Sequence, residues 1–142
     1  MSETTAQPTA AALAQHGPRF AALTGVTSLA ILLEGVFAGA FIDRANKGGW
    51  LTAHNVNAFV VVVLAVITAV FAYVKLREAR GLWIRSFILA VLVIVQVGIG
   101  DAVSHESQDW LLAIHVPLAM LVFGLTIYTS VMARHLRRGA GH

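Results

Sequence analysis

Two histidines, His54 and His115, hold matching positions near the starts of two long apolar segments in this chain of 142 residues. Trp50 precedes the first histidine by four residues, and Trp110 precedes the second by five. Tryptophan favours the interface between membrane and water, and a helix rises ~1.5 Å per residue, so both imidazoles are expected about 6–8 Å inward of that interface. Two imidazoles at one depth can fill both axial positions of an iron atom held in a planar cofactor.

Small residues near the histidines favour such a cofactor. Ala58 and Ala119 each follow a histidine by four residues on the same helical face, and their small side chains leave room for a porphyrin ring. Gly35 and Gly39 form a GxxxG pattern, which permits the close approach of a neighbouring helix or of the cofactor. The chain contains no cysteine, so covalent c-type attachment is excluded. The residues therefore predict one heme b with His54 and His115 as iron ligands.

Glu34 is the other costly residue, because it places a carboxyl group deep within an apolar segment. One interpretation is a proton or quinol group beside the cofactor. The other is a packing hydrogen bond, with Gln96, Thr27 or Ser28 as the expected partner.

Two further interpretations of the histidines remain open. His105 lies in an acidic segment, so a divalent metal bound by His105 with Asp101, Glu106 or Asp109 is a second hypothesis. The spacing of these residues is not diagnostic of a metal site. His54 and His115 could also serve only as hydrogen-bonding groups between helices. The cost of ionisable groups inside a membrane favours a functional role for them.

The composition indicates the elements that must position these residues. Hydrophobic residues make up 58% of the chain and charged residues 12%, against about a quarter charged in soluble domains. Four apolar stretches each approach the ~20 residues that a membrane-spanning helix needs. We therefore predict an all-α integral membrane four-helix bundle. Its parts are a flexible tail at 1–19, a four-helix domain at 20–133 with helices at about 20–42, 52–74, 82–100 and 110–132, and a basic tail at 134–142.

The basic residues predict the orientation of the bundle. Eight of the ten Lys and Arg residues flank the helix ends on the side of the two termini, and only Arg44 and Lys47 lie on the other side. Cytoplasmic loops carry this excess, so both termini are expected to be cytoplasmic and the chain to lie in the cytoplasmic (inner) membrane. Arg44 and Lys47 are then the cations expected to meet the heme propionates. Short basic runs beside apolar segments are typical of topology signals, so nucleic acid is not an expected partner.

The sequence also contains a weak internal repeat. Gly39 precedes His54 by fifteen residues, and Gly100 precedes His115 by the same distance. Glu34 and Gln96 occupy corresponding places in the first and third helices. The repeat predicts two similar two-helix hairpins.

The segments 50–54 (WLTAH) and 110–119 (WLLAIHVPLA) resemble one four-helix half of the heme A synthase family. The resemblance covers about residues 20–133 and implies the bundle fold and a heme site on His54 and His115. That family has two such halves, and its catalytic half carries a glutamate three residues before the first histidine, where this chain has Leu51. The resemblance therefore does not imply oxidation of a heme methyl group by this chain alone, unless two copies pair to rebuild eight helices.

Three functions follow as hypotheses. The first is a heme b protein that passes electrons to or from quinol or a respiratory complex. The second is an accessory or assembly subunit without a cofactor, packed against a larger membrane complex. The third is a proton-coupled transporter that uses Glu34 and the histidines, although four helices are few for a transporter and no pair of broken helices is evident.

Overall fold

The computed structural model describes residues 6–40, 47–106 and 109–139, with the side chains of all these residues except 6–8, 47, 104–106 and 109. Within this part the chain forms four α-helices and a short 3₁₀ turn. Their bounds are Ala6–Ala40 for α1, Lys47–Lys75 for α2, Arg80–Glu106 for α3, Asp109–Leu111 for the 3₁₀ turn and Leu112–Gly139 for α4. Each α-helix is long and apolar enough to cross a membrane, which confirms the all-helical fold and its four candidate spans.

The four helices form an antiparallel bundle. Each helix packs against two neighbours in the order α1, α2, α3, α4 and back to α1, so α2 and α4 are diagonal across the described bundle. Leu13 of α1 and Ala133 of α4 share one apolar cluster, which places the beginning of α1 beside the end of α4. We call this the terminal end of the bundle. The distal end is the one at which α1 ends and α4 begins.

Small residues dominate the centre of the bundle. The central apolar cluster consists of Ala30, Ile31, Val61, Ala65, Ala69, Leu89, Ala90, Val93 and Val122. Alanine at the contacts lets helix backbones approach closely, which is the usual basis of helix packing in membranes. The outer surface is apolar as well, and Phe59, Met120 and Leu121 are 69%, 72% and 66% exposed. An outer surface of this kind fits a lipid environment, since lipid carries no penalty for exposed apolar side chains.

A layer of buried hydroxyl groups separates the central cluster from the cluster at the terminal end. This hydroxyl layer comprises Thr24, Thr27, Thr68, Ser86, Thr126, Thr129 and Ser130. Thr27 Oγ1 donates to the carbonyl of Leu23 at 2.8 Å, and Thr68 Oγ1 donates to that of Leu64 at 2.7 Å. The two threonine oxygens lie 3.4 Å apart between α1 and α2. Most of these hydroxyls are therefore satisfied within their own helices, by the backbone one turn earlier.

The helices extend beyond the predicted spans, and the prediction of a flexible tail at 1–19 is wrong for residues 6–19. These residues are the first turns of α1, although Pro18 lies inside the helix and cannot donate a backbone hydrogen bond. Leu13 and Phe20 are buried against the other helices at the terminal end, and this burial offsets the cost of the proline. At the other end of the chain, residues 134–139 continue α4, whereas 1–5 and 140–142 lie outside the described residues.

Candidate functional site

Five polar residues gather at the distal end of the bundle, and every helix contributes at least one of them. They are Glu34 from α1, His54 and Asn57 from α2, Gln96 from α3, and His115 from α4. All five are half-buried rather than exposed. Polar groups in such a position need partners, because water is scarce and hydrogen bonds are strong in a low dielectric. The partners divide the set into two groups, one in each hairpin.

Glu34 is the centre of the first group. Its Oε2 atom lies 2.5 Å from Nδ1 of His54, and the two side chains are only 17% and 19% exposed. Asn57 Nδ2 donates to Glu34 Oε1 at 2.7 Å and also to the carbonyl of Ala30 at 2.8 Å. A carbonyl oxygen can only accept, so the contact with Ala30 fixes which end of the Asn57 amide faces α1. On α2, Asn57 therefore donates to Oε1 of Glu34, and the ring of His54 lies in close contact with Oε2.

His115 and its neighbours on α3 form the second group. Gln96 Nε2 donates to the main-chain carbonyl of His115 at 2.8 Å. The His115 ring packs on Gly100 so closely that a Cβ atom added there would lie 3.0 Å from Cε1 of the ring. His115 Nδ1 is buried and, within the described part of the chain, has no hydrogen-bond partner. The second imidazole is thus held by shape, whereas the first is held by a carboxyl group.

The internal repeat seen in the sequence has a counterpart in these contacts. In both hairpins a polar residue of the first helix bonds the histidine of the second helix, but Glu34 reaches a ring and Gln96 reaches a backbone carbonyl. The two glycines of the repeat differ more. Gly100 touches the His115 ring, whereas a Cβ atom at Gly39 would meet nothing within 4 Å. The hairpins are therefore similar in plan and unequal in detail.

Both histidines lie on the inward faces of their helices. Val61 and Val122, seven residues after His54 and His115, are buried in the central cluster. A spacing of seven residues keeps side chains on one face of a helix, so the imidazoles point toward the bundle interior. The structure therefore brings the histidines of two diagonal helices to the same end of the interior.

The small residues expected near the cofactor behave differently from one another. Ala58 and Ala119 are half-buried, on the faces that carry the histidines. Gly35 and Gly39 are exposed, and a Cβ atom at either would meet nothing within 4 Å. Within the described bundle, neither glycine therefore packs closely against another helix, and a contact of either with the cofactor stays a prediction. Because α1 directs Glu34 inward and a helix turns ~100° per residue, Gly35 and Gly39 lie on the outer side of the same helix.

Other predicted site residues lie outside the described part. Arg44 is among the residues that the structure does not describe, and the same holds for the side chains of Lys47 and His105. Of the three acidic residues considered as partners of His105 in a metal site, Glu106 and Asp109 have side chains that are not described either. Among the side chains that are described, no three His, Cys, Asp or Glu residues are arranged to hold a bare metal ion. A heme does not need such a group, because the porphyrin supplies four of the six iron ligands.

Sequence reasoning missed Asn57 and assigned the wrong partners to Glu34. The expected partners were Gln96, Thr27 or Ser28, but the carboxyl group contacts His54 and Asn57. One signal was available in the sequence, since Asn57 follows His54 by three residues and so shares its helical face.

The described residues fit a heme iron in one specific respect. Histidines that bind metals usually donate their other ring N–H to a carboxylate or a carbonyl oxygen, which fixes the ring and its tautomer. The contact between His54 Nδ1 and Glu34 has this arrangement. His115 offers an inward-facing imidazole whose ring position is fixed by Gly100.

Fold and site together define a helical bundle of membrane-spanning character with an ionisable polar cluster near one end. No protein-family model, no curated protein and no solved structure matches the chain.

Proposed function

We propose that this chain binds one heme b between His54 and His115 in the cytoplasmic membrane and serves electron transfer. The observation that carries the proposal is the placement of two inward-facing imidazoles at the same end of diagonal helices, one of them held by a carboxyl group. Bundle cores of this kind host cofactors between side chains of facing helices.

The residues of the chain have separate tasks in this proposal. A bound heme supplies one-electron redox chemistry. His54 and His115 would both hold the iron, and two imidazole ligands would favour electron transfer over the binding of small molecules to iron. Ala58 and Ala119 would leave the space beside the imidazoles free of large side chains, and Arg44 and Lys47 would be the cations available to the heme propionates. Quinol or a respiratory complex is the proposed electron partner.

The basic terminal end supports an orientation with both termini in the cytoplasm. Arg77 lies over the ring of Tyr73 at 5.2 Å, and Arg85 lies over the ring of Tyr128 at 5.3 Å. Tyrosine and arginine together are typical of the membrane interface, where the ring is half in lipid and the cation meets headgroups. The eight-to-two excess of Lys and Arg on this side also supports cytoplasmic termini.

A visible spectrum tests the proposal directly. The protein is produced with heme in excess, purified in detergent, and its dithionite-reduced spectrum is recorded together with the ratio of heme to folded protein. We expect a low-spin spectrum and one heme per chain. His54→Ala and His115→Ala should each abolish the low-spin signal, while His135→Ala, at an exposed position on α4, serves as the control. A colourless protein under these conditions would refute the proposal.

The second candidate is an accessory or assembly subunit without a cofactor. One observation favours it, because the Glu34 carboxyl group is already in contact with His54 and Asn57 of the neighbouring helix. Gly35 and Gly39 leave part of α1 open on the outer surface, where a helix of another subunit or of a second copy could approach closely. A colourless protein that co-purifies with a membrane complex, and loses that complex on Gly39→Leu, would identify this function.

A further inference from the structure

The contacts of Asn57 determine what the Glu34 side chain can offer to His54. Asn57 Nδ2 reaches both the Ala30 carbonyl and Glu34 Oε1, so it donates to both. Turning the amide over would place its oxygen against the Ala30 carbonyl oxygen, which is repulsive. Asn57 is therefore a fixed donor, and the Glu34 oxygen that faces it must accept.

We infer that Glu34 is a positioning residue that holds the proton of His54 on Nδ1 and so directs the lone pair of Nε2 toward the bundle interior as an iron ligand. With Oε1 occupied by Asn57, the other oxygen of Glu34 meets Nδ1 of His54 at 2.5 Å. In its ionised form Glu34 accepts hydrogen bonds and does not donate them, so the ring nitrogen that faces it then carries the hydrogen. The neutral ring then has its lone pair on Nε2.

This assignment rests on the proposed function for its consequence, iron ligation, but the tautomer exists with or without heme. It also makes the two ligands unequal. Nδ1 of His54 lies against the Glu34 carboxyl group, and a hydrogen bond from it to a carboxylate would raise the basicity of the ligand, whereas Gln96 bonds only the backbone of His115. His54 is thus the stronger electron donor of the two, and the loss of Glu34 should raise the midpoint potential of a bound heme.

The geometry predicts an unusual result for Glu34→Gln. The new amide must turn its oxygen toward the fixed donor Asn57, which leaves its NH₂ group facing Nδ1 of His54. Nδ1 then becomes an acceptor, and the proton moves to Nε2. This variant preserves size and hydrogen-bond number but inverts the tautomer, so His54 loses the nitrogen that would bind iron.

A second substitution should reverse this inversion. Asn57→Leu removes the fixed donor, and the amide that Glu34→Gln introduces can then turn so that its oxygen accepts from Nδ1 of His54. The Ala30 carbonyl keeps its place in the helical hydrogen bonding of α1, so the loss of Asn57 leaves no orphaned backbone group there. The pair of variants therefore separates a tautomer effect from a simple loss of packing.

The experiment measures the imidazole nitrogens of His54 by ¹⁵N NMR in the heme-free protein in detergent, at alkaline pH where the ring is neutral. We expect Nδ1–H in wild type, Nε2–H in Glu34→Gln, and a return to Nδ1–H in Glu34→Gln with Asn57→Leu, each change exceeding about tenfold in the tautomer ratio. Gln96→Leu is the matched control, because it removes a side-chain hydrogen bond from the other hairpin without touching a ring. It should leave the His54 signals unchanged.

Heme affinity is a second readout of the same variants, and its outcome is independent of the tautomer measurement. Heme affinity should fall ~10–100-fold in Glu34→Gln and recover in the double variant, as is typical for partners of metal-bound histidines. A wild-type ring with Nε2–H, or a tautomer that Glu34→Gln leaves unchanged, would overturn the inference. If the tautomers behave as expected and no variant, wild type included, binds heme, the positioning by Glu34 stands and the proposed function fails.

Discussion

Replacing Gly100 by alanine places a methyl group against the ring of His115. The added Cβ atom would lie 3.0 Å from Cε1 of the ring and 3.7 Å from both ring nitrogens. Carbon atoms in good contact are ~3.5–4.0 Å apart, so the ring must move by about 0.5 Å or the helices must separate. Gly98 offers a matched control on the same helix, because a Cβ atom there meets nothing within 4 Å.

Two effects of opposite sign determine how much an alanine at Gly98 or Gly100 changes the free energy of unfolding. Alanine is better than glycine inside a helix by ~1 kcal/mol, and this gain applies to both positions. Overpacking costs about 1–3 kcal/mol, and this cost applies only to Gly100. Gly98→Ala should therefore stabilise the bundle by up to ~1 kcal/mol, while Gly100→Ala should be less stable than Gly98→Ala by about 1–3 kcal/mol.

Reversible unfolding of both variants in mixed detergent micelles, followed by circular dichroism, measures the difference in the free energy of unfolding. The ¹⁵N signals of His115 report whether its ring moves, and they should shift in Gly100→Ala only. Equal stabilisation by both substitutions, with unchanged His115 signals, would refute the view that this ring is held by shape.

Further predictions concern other parts of the bundle. His54→Ala and His115→Ala should each lower the free energy of unfolding as well as heme content, so heme is measured per folded protein and compared with His135→Ala; full low-spin spectra in both core variants would place the heme elsewhere. Thr68→Val should cost less than about 1 kcal/mol in detergent unfolding, because interhelical hydrogen bonds in membranes contribute little, and a larger loss would contradict the self-satisfied hydroxyl layer. Gly39→Leu should destabilise the isolated chain by no more than ~0.5 kcal/mol, since the site is open; marked destabilisation of that chain would show a contact inside the bundle. Protease added outside intact spheroplasts should spare a C-terminal tag, and its removal would refute the cytoplasmic orientation.

The inward faces of the histidines could be predicted because helical periodicity is a local property. His54 and His115 each begin a run of small or apolar residues at spacings of four and seven, and Val61 and Val122 in those runs are buried. Such a pattern fixes which side of a helix faces the core without knowledge of the neighbouring helix.

The partners of Glu34 could not be predicted in the same way, because several groups compete for each polar atom. Thr27 and Ser28 donate to backbone carbonyls of their own helix at 2.8 Å, and Gln96 donates to His115. Which side chains meet depends on the relative register of α1 and α2, and a shift of one residue turns a side chain by ~100°. Composition and residue spacing do not determine the relative register of α1 and α2.

The first turns of α1 pack against a surface formed by the other three helices, and the sequence of residues 6–19 alone does not predict that surface. Pro18 and the polar composition of this segment favoured a tail. Leu13 is nevertheless buried at the terminal end, and the Arg137 side chain packs on Gly17, with Cδ 3.5 Å from a Cβ atom built there. The other three helices create this surface only when the bundle is assembled.

The hydroxyl layer and the Glu34 cluster differ in whether their polar groups already have hydrogen-bond partners within a single helix during membrane insertion. Thr27 and Thr68 bond within their own helices, so these hydroxyls can leave the translocation machinery already satisfied. Glu34 finds both of its described partners on α2. A first helix released alone would hold an unmatched carboxyl group in hydrocarbon until His54 and Asn57 arrived. The two-helix hairpin, rather than the single helix, is thus the smallest piece that can enter a bilayer with this carboxyl group matched.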